Sequence, residues 1–266
     1  HALFDSEWER GLVESPETNW IAPKLRALFE FSGRDGGEFT VKLWPEAPSP
    51  DAYRLRVEPT RVCIECATRR GALYAATRDR VQVWDGHAWS ALGDEHNNLV
   101  AVVVDDNDLV YRATQNWVWM WNGSAWVGLE KGWDAPHVRA LAVDSGGRLY
   151  AAVEPRKMGN SNVIVWDGTE WSGVGGGTDK LVTSLAVDRA GRLFAGGTFE
   201  HAGGQQARGV AMWANGAWRS YDIGADGWVS RLLVDPKGAL YAWGHLKAFN
   251  RDSNTLARWN GSSWSR

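Results

Sequence analysis

Cysteine is nearly absent. Cys63 and Cys66 are the only two, so a disulfide framework is excluded and either redox compartment suits the chain. Their Cys-x-x-Cys spacing supplies half a zinc site at most, because a tetrahedral site needs two more ligands. The flanks from Arg61 to Thr68 read as a strand, which places residues three apart on opposite faces, and two buried structural thiols are expected. Long hydrophobic runs are missing as well. Nothing approaches the roughly 18 apolar residues of a membrane helix, and no basic segment followed by an apolar one opens the sequence, so no membrane span is expected. Positive charge is not in excess: 29 Lys+Arg face 32 Asp+Glu, for a net charge of -3. That leaves no field of the kind that attracts a phosphate backbone, and nucleic acid is not an expected partner.

Catalytic signatures are lacking too. The six histidines, His1, His87, His96, His137, His201 and His245, show no H-E-x-x-H or other metal-ligand spacing. No G-x-S-x-G elbow, phosphate-binding loop or dinucleotide fingerprint occurs. Asp105, Asp144, Asp188 and Asp235 recur, but one aspartate per turn offers too few oxygens for calcium. The α-amine and imidazole of His1 are similar to the histidine brace of copper monooxygenases, whose fold differs. No cofactor, no metal and no enzymatic activity are expected. The sequons at Asn122 and Asn260 coincide with turns and add nothing about glycosylation.

What the chain has instead is 18 Trp and 30 Gly, and both are periodic. Trp-x-x-x-x-Trp occurs at Trp84/Trp89, Trp121/Trp126, Trp166/Trp171, Trp213/Trp218 and Trp259/Trp264. Asp-Gly or Asn-Gly lies between the two indoles each time, and such a dipeptide between apolar runs is a strong hairpin signal. Upstream runs a second pattern, clearest in Leu141–Tyr150, Leu185–Phe194 and Leu232–Tyr241. Asp opens its turn and Gly, Gly or Gly at the exit (Gly147, Gly191, Gly238) tolerates positive φ, so this stretch also reverses the chain. Worn copies lie at Val102–Tyr111 and Cys63–Tyr74.

Four short strands per unit, a period of about 45 residues and no helical periodicity predict an all-β β-propeller of four-stranded antiparallel blades. The repeats span 57–95, 96–134, 135–179, 180–226 and 227–266. Segment 1–56 is expected to form a degenerate sixth blade, because Ala22–Leu28 echoes Ala135–Leu141 and two strand-like runs follow. Five blades with an N-terminal extension is the competing arrangement, and either way one structural domain is expected.

Blade 4 carries the fullest unit, with Leu185–Asp188, Gly191, Leu193, Gly196-Gly197, Phe199, Ala202-Gly203-Gly204, Val210, Trp213 and Trp218 in order. This pattern resembles bacterial propeller repeats of the Kelch-like and Rax2-like kind, and the start of the blade 3 unit is similar to repeats in the sensory domains of two-component regulators. About four-fifths of the chain is covered, although the double glycine survives only in blade 4. The resemblance implies a binding platform, often extracytoplasmic, and no particular reaction.

The ten periodic Trp are expected to pack neighbouring sheets. Binding candidates lie off the repeat: Trp133 and Trp228 just before innermost strands, and Trp243 just after a second strand. Trp133 and Trp228 either line the mouth of the propeller or cap its core. The connection between second and third strands is long only in blades 3, 4 and 5, where it carries Arg156, Lys157, His201, Arg208, His245, Lys247, Phe249 and Arg251. Binding residues favour loops on a rigid scaffold, so this face is expected to take a protein partner or a glycan. The first reading is a protein-interaction or sensory module, the second a carbohydrate-binding lectin, and the third an enzyme with a site in the central channel.

Overall fold

The computed structural model describes residues 66–69, 72–76, 80–84, 88–95, 98–132, 137–154, 161–224, 227–235, 238–246 and 255–265. The expected sixth blade, Cys63 and His1 lie outside the described residues.

Every described element is a strand. Blade 1 holds β1 (Cys66–Arg69), β2 (Ala72–Ala76), β3 (Val81–Trp84) and β4 (Trp89–Ala91). Blade 2 holds β5 (Leu99–Val104), β6 (Val110–Thr114), β7 (Val118–Trp121) and β8 (Trp126–Gly128). Blade 3 holds β9 (Val138–Val143), β10 (Leu149–Val153), β11 (Val163–Trp166) and β12 (Trp171–Gly173). Blade 4 holds β13 (Val182–Val187), β14 (Leu193–Gly197), β17 (Val210–Ala214) and β18 (Ala217–Ser220), with a two-stranded insertion of β15 (His201–Ala202) and β16 (Gln205–Gln206). Blade 5 holds β19 (Trp228–Val234), β20 (Leu240–His245), β21 (Thr255–Trp259) and β22 (Trp264–Ser265). Each blade is an antiparallel meander in chain order, and the innermost strands β1, β5, β9, β13 and β19 adjoin one another in that order.

The hairpins follow from local chemistry. In the first turn of blade 3, Asp144 Oδ1 accepts from the N–H of Gly146 at 3.0 Å and of Arg148 at 2.9 Å. Asp105 and Asp188 do the same at positions two and four residues on. Gly147, Gly191 and Gly238 occupy the left-handed region at φ 79°, 74° and 85°, where a Cβ is penalised. Blade 2 has Asp108 at that place, with φ 65°.

The Asp-Gly and Asn-Gly turns are not all alike. In blade 4 they are a two-residue reversal, with Asn215 and Gly216 both at positive φ and Ala214 facing Ala217. In blades 2, 3 and 5 the Asx residue comes one place earlier. Its side-chain Oδ1 takes the two N–H groups that a tight turn would leave over, as Asn122 does for Ser124 and Ala125. The paired Trp end up directly opposite each other in every blade.

The core is divided among blade junctions. One apolar cluster joins blades 1 and 2 around Val81, Leu99 and Val102. A second joins blades 2 and 3 around Val118, Leu141 and Trp171. A third joins blades 3 and 4 around Val163, Leu185 and Phe199, and a fourth joins blades 4 and 5 around Val210, Leu232 and Ala257. In blades 2 to 5 the second Trp of the pair reaches back to fasten the preceding blade. Nε1 of Trp126, Trp171, Trp218 and Trp264 donates to the carbonyl oxygens of Leu92, Leu129, Val174 and Tyr221. This gives the periodic indoles a packing role, with their polar atom satisfied inside the fold.

Candidate functional site

The loops that lead into the innermost strands and the connections between second and third strands meet at one end of the sheets. Glu154 N–H donates to His137 O at 3.3 Å and Thr198 N–H to Leu181 O at 3.0 Å. Val138 N–H reaches Gln115 O of blade 2 at 2.7 Å, so the arrangement continues from blade to blade.

Trp228 is the first residue of β19 rather than a residue ahead of it, and it pairs in register with His245 at the end of β20. Their rings stack at 4.6 Å with planes 23° apart. Trp228 keeps 46% of its surface exposed. The imidazole therefore backs one face of an indole that still presents a wide apolar surface to solvent. Leu181, 40% exposed, leads into the neighbouring innermost strand. The two strands are tied by Thr183 Oγ1 donating to Val229 O at 2.5 Å and Leu232 N–H donating to Ser184 Oγ at 2.9 Å. Exposed Trp117 sits in the second-to-third turn of blade 2, where Thr114 N–H donates to its carbonyl.

The charges at this end are balanced. Arg139 pairs with Glu154, Lys180 with Glu200 and His201 Nδ1 with Asp179 Oδ2 at 2.9 Å, while Arg208 lies 3.9 Å from Asp222. Exposed pairs of this kind contribute little stability, yet they cancel the field that unpaired cations would project. Of the cationic candidates among the described residues, His201 and Arg208 each have a carboxylate nearby that sequence spacing does not reveal.

His201 belongs to the β15–β16 hairpin, which docks on the segment leading into β13. Asp179 N–H donates to His201 O at 3.1 Å and Gly203 N–H to Gly177 O at 2.8 Å. Asp179 Oδ1 accepts from the N–H of Glu200 and of His201. Burial pushes the Asp179 carboxyl up, but the His201 ring and these two N–H groups outweigh it and hold the carboxyl below its ordinary range. Arg208 is steered by Gln206, whose amide oxygen accepts from its Nε at 2.9 Å. Trp243 lies inside β20, opposite Arg231 and Leu256 and half-buried, not after the strand. Trp133, Arg156, Lys157, Lys247, Phe249 and Arg251 lie outside the described residues.

Asn162, read as part of the blade 3 loop, is a buried clamp. Its Nδ2 donates to Thr178 Oγ1 at 2.8 Å and Lys180 O at 2.6 Å, and its Oδ1 accepts from Thr178 N–H. Among the described residues no three His, Cys, Asp or Glu side chains converge as a metal site, and no helix is long and apolar enough to cross a membrane.

No family model matches the sequence, and no curated protein matches it. Solved structures do match in fold. The extracellular domain of a hybrid two-component system from B. thetaiotaomicron aligns with TM-score 0.53 and 12% identity over 78% of this chain and 29% of its own. The WD40 β-propeller domain of Doa1 gives 0.55 and 15% over 76% of this chain and 64% of its own. PorZ, a surface component of the type-IX secretion system of Porphyromonas gingivalis, gives 0.51 and 15% over 85% and 38%. The chain thus spans about 29% to 64% of the length of these structures. At such identities the likeness shows the fold, a β-propeller.

Proposed function

We propose that this chain is a non-enzymatic binding module, a protein-interaction or sensory propeller that works through the end bearing the long connections of blades 3, 4 and 5. The observation that carries the reading is the Trp228–His245 stack beside Leu181. A large aromatic held rigid by a ring behind it, with apolar area still exposed, is the chemistry of an interface hot spot, and the paired charges of blades 3 and 4 supply polar groups at the same end. Two of the similar structures are an extracellular regulator domain and a bacterial surface component, which supports an extracytoplasmic setting. The repeat pattern supports a Kelch-like or Rax2-like subtype, with segment 1–56 completing the ring as a sixth blade of one domain.

The test is an affinity capture read by mass spectrometry, with wild type beside the double variant Leu181→Ser, Trp228→Ala. A protein partner is retained by the wild type and lost by the variant, while the melting temperature stays within about 2 °C because both side chains are exposed. Retention that survives the double substitution refutes the reading.

A lectin is the second reading, favoured by the same indole, whose open face matches a sugar ring. A gluconolactonase from Xanthomonas campestris is also similar in fold, with TM-score 0.50 and 14% identity over 73% of this chain, and it supports keeping a channel enzyme as the third.

A further inference from the structure

Between the outer edges of blades 4 and 5 lies an open groove of about 450 Å³, a size within the range of small-molecule sites. Ser220 and Asp222 line it from the exit of β18, and Trp259, Ser262, Ser263 and Trp264 line it from the β21–β22 hairpin. The residue that follows the carbonyl accepting the Trp Nε1 differs among the junctions. The residue after the carbonyl that receives the Trp Nε1 is Gly93 between blades 1 and 2, and Gly175 between blades 3 and 4. A Cβ on Gly93 would lie 2.6 Å from Trp126, and one on Gly175 would lie 2.1 Å from Trp213, so at both places the chain closes onto the indoles. Between blades 2 and 3 the position is Glu130, and there the next residue closes the seam, because Lys131 O accepts the Trp171 N–H at 2.9 Å. Between blades 4 and 5 the position is Asp222, which lines the groove together with Trp259 and Trp264.

The lining selects a ligand chemistry. Asp222 Oδ1 accepts from Gly224 N–H at 2.8 Å, and Oδ2 is in a loose ion pair with Arg208 Nε at 3.9 Å, too long for a hydrogen bond. At that distance Oδ2 keeps acceptor capacity for a further donor. Three serine hydroxyls add further polar groups, and no cation lines the groove, which disfavours anions. Trp259 and Trp264 are in contact with each other, centroids 5.5 Å apart at 64°. They therefore offer one continuous wall and leave no space between them for an ammonium cage. Tyr221 stiffens that wall, 4.8 Å from Trp259 and 5.5 Å from Phe194.

We propose that the groove between blades 4 and 5 is a binding site for a neutral saccharide, whose C–H face lies on the Trp259/Trp264 wall while vicinal hydroxyls donate to Asp222 and exchange hydrogen bonds with Ser220, Ser262 and Ser263. The site is distinct from the Trp228 end and stands whether or not a protein binds there.

The experiment titrates the whole chain with cellotriose, maltotriose, xylotriose and chitotriose, and with choline as the cationic probe, following tryptophan emission and calorimetric heat. At least one trisaccharide gives a saturable response below about 10 mM, and Asp222→Ala weakens it by about tenfold or more, as expected for a lost hydrogen bond to a charged group. The exposed Asp222 makes the variant safe for folding, and Asp222→Asn, which keeps an acceptor oxygen, falls between wild type and alanine. A flat response to all four sugars overturns the proposal. So does a response confined to choline, or one that Asp222→Ala does not alter.

Discussion

Arg112 stands where every other blade has alanine: Ala75, Ala151, Ala195 and Ala242 hold the same place after the aromatic of the second strand. Its side chain is fully buried, with the guanidinium 4.0 Å from the centroid of Trp126 and Nη1 donating to Asp94 O at 3.2 Å. Nε and Nη2 have no partner, and burial draws the group down to about 10 despite the opposing pull of Asp94. A buried charge with unmet donors is a weak source of stability, and an apolar residue of similar length removes the desolvation cost. Arg112→Met is therefore expected to hold or raise the urea midpoint, whereas Arg112→Ala leaves a cavity and costs about 2–4 kcal/mol. Asp108 offers a converse case. It adopts φ 65° where its three counterparts are glycine, so Asp108→Gly is expected to stabilise by up to about 1 kcal/mol in the same measurement.

The hairpin is the element that repeats, and its buried Asp-Tyr pair carries a pH dependence. The hydroxyls of Tyr111 and Tyr150 are pushed up to about 12, first by burial and then by Asp105 and Asp144. A raised value means that the folded state holds the phenolic proton more tightly than the unfolded chain does. The associated stability is complete below pH 10 and is lost as pH rises toward 12. It amounts to about 2–3 kcal/mol per tyrosine. Unfolding monitored between pH 9 and pH 12 is expected to steepen above pH 10, and Tyr150→Phe to flatten that limb. Both turn classes were legible in the sequence, because Asp followed by Gly at fixed offsets leaves the backbone few alternatives. What was not legible depends on chain segments far apart. The β15–β16 hairpin reads as a loop since it contains His201, two glycines and two glutamines, and it exists because Asp179 supplies a dock. Asn162 reads as a polar loop residue, yet Thr178 and Lys180 turn it inward. Of the candidate site, the sequence pattern indicated Trp228 and the long connections. It did not reveal that Arg139, Lys180 and His201 each face a carboxylate, or that Asp222 lines a groove beside Trp259 and Trp264.

At the scale of the molecule, the described blades touch only their neighbours, an arrangement whose stability is a sum of blade and junction contributions. Such an array unfolds in stages where junctions are weak and all at once where they are strong. Each junction here combines an apolar cluster with a Trp Nε1 bond to the preceding blade, and the last also has the Thr183–Val229 and Ser184–Leu232 ties between innermost strands. Leu141 and Leu185 are fully buried in different clusters, one between blades 2 and 3 and the other between blades 3 and 4. Truncating either to alanine is expected to cost about 2–5 kcal/mol. If strong junctions couple the blades, each variant lowers the urea midpoint with the slope unchanged, and the tryptophan and far-ultraviolet dichroism curves stay superimposed. Costs that add within about 0.5 kcal/mol would mark the two clusters as uncoupled. The indoles make this a demanding test, because the periodic pairs occur in every blade and any blade that melts alone separates the emission curve from the dichroism curve. A biphasic transition in Leu185→Ala would show that the junction between blades 3 and 4 is a boundary between cooperative units, and that blades 4 and 5 can be destabilised independently of the blades before them.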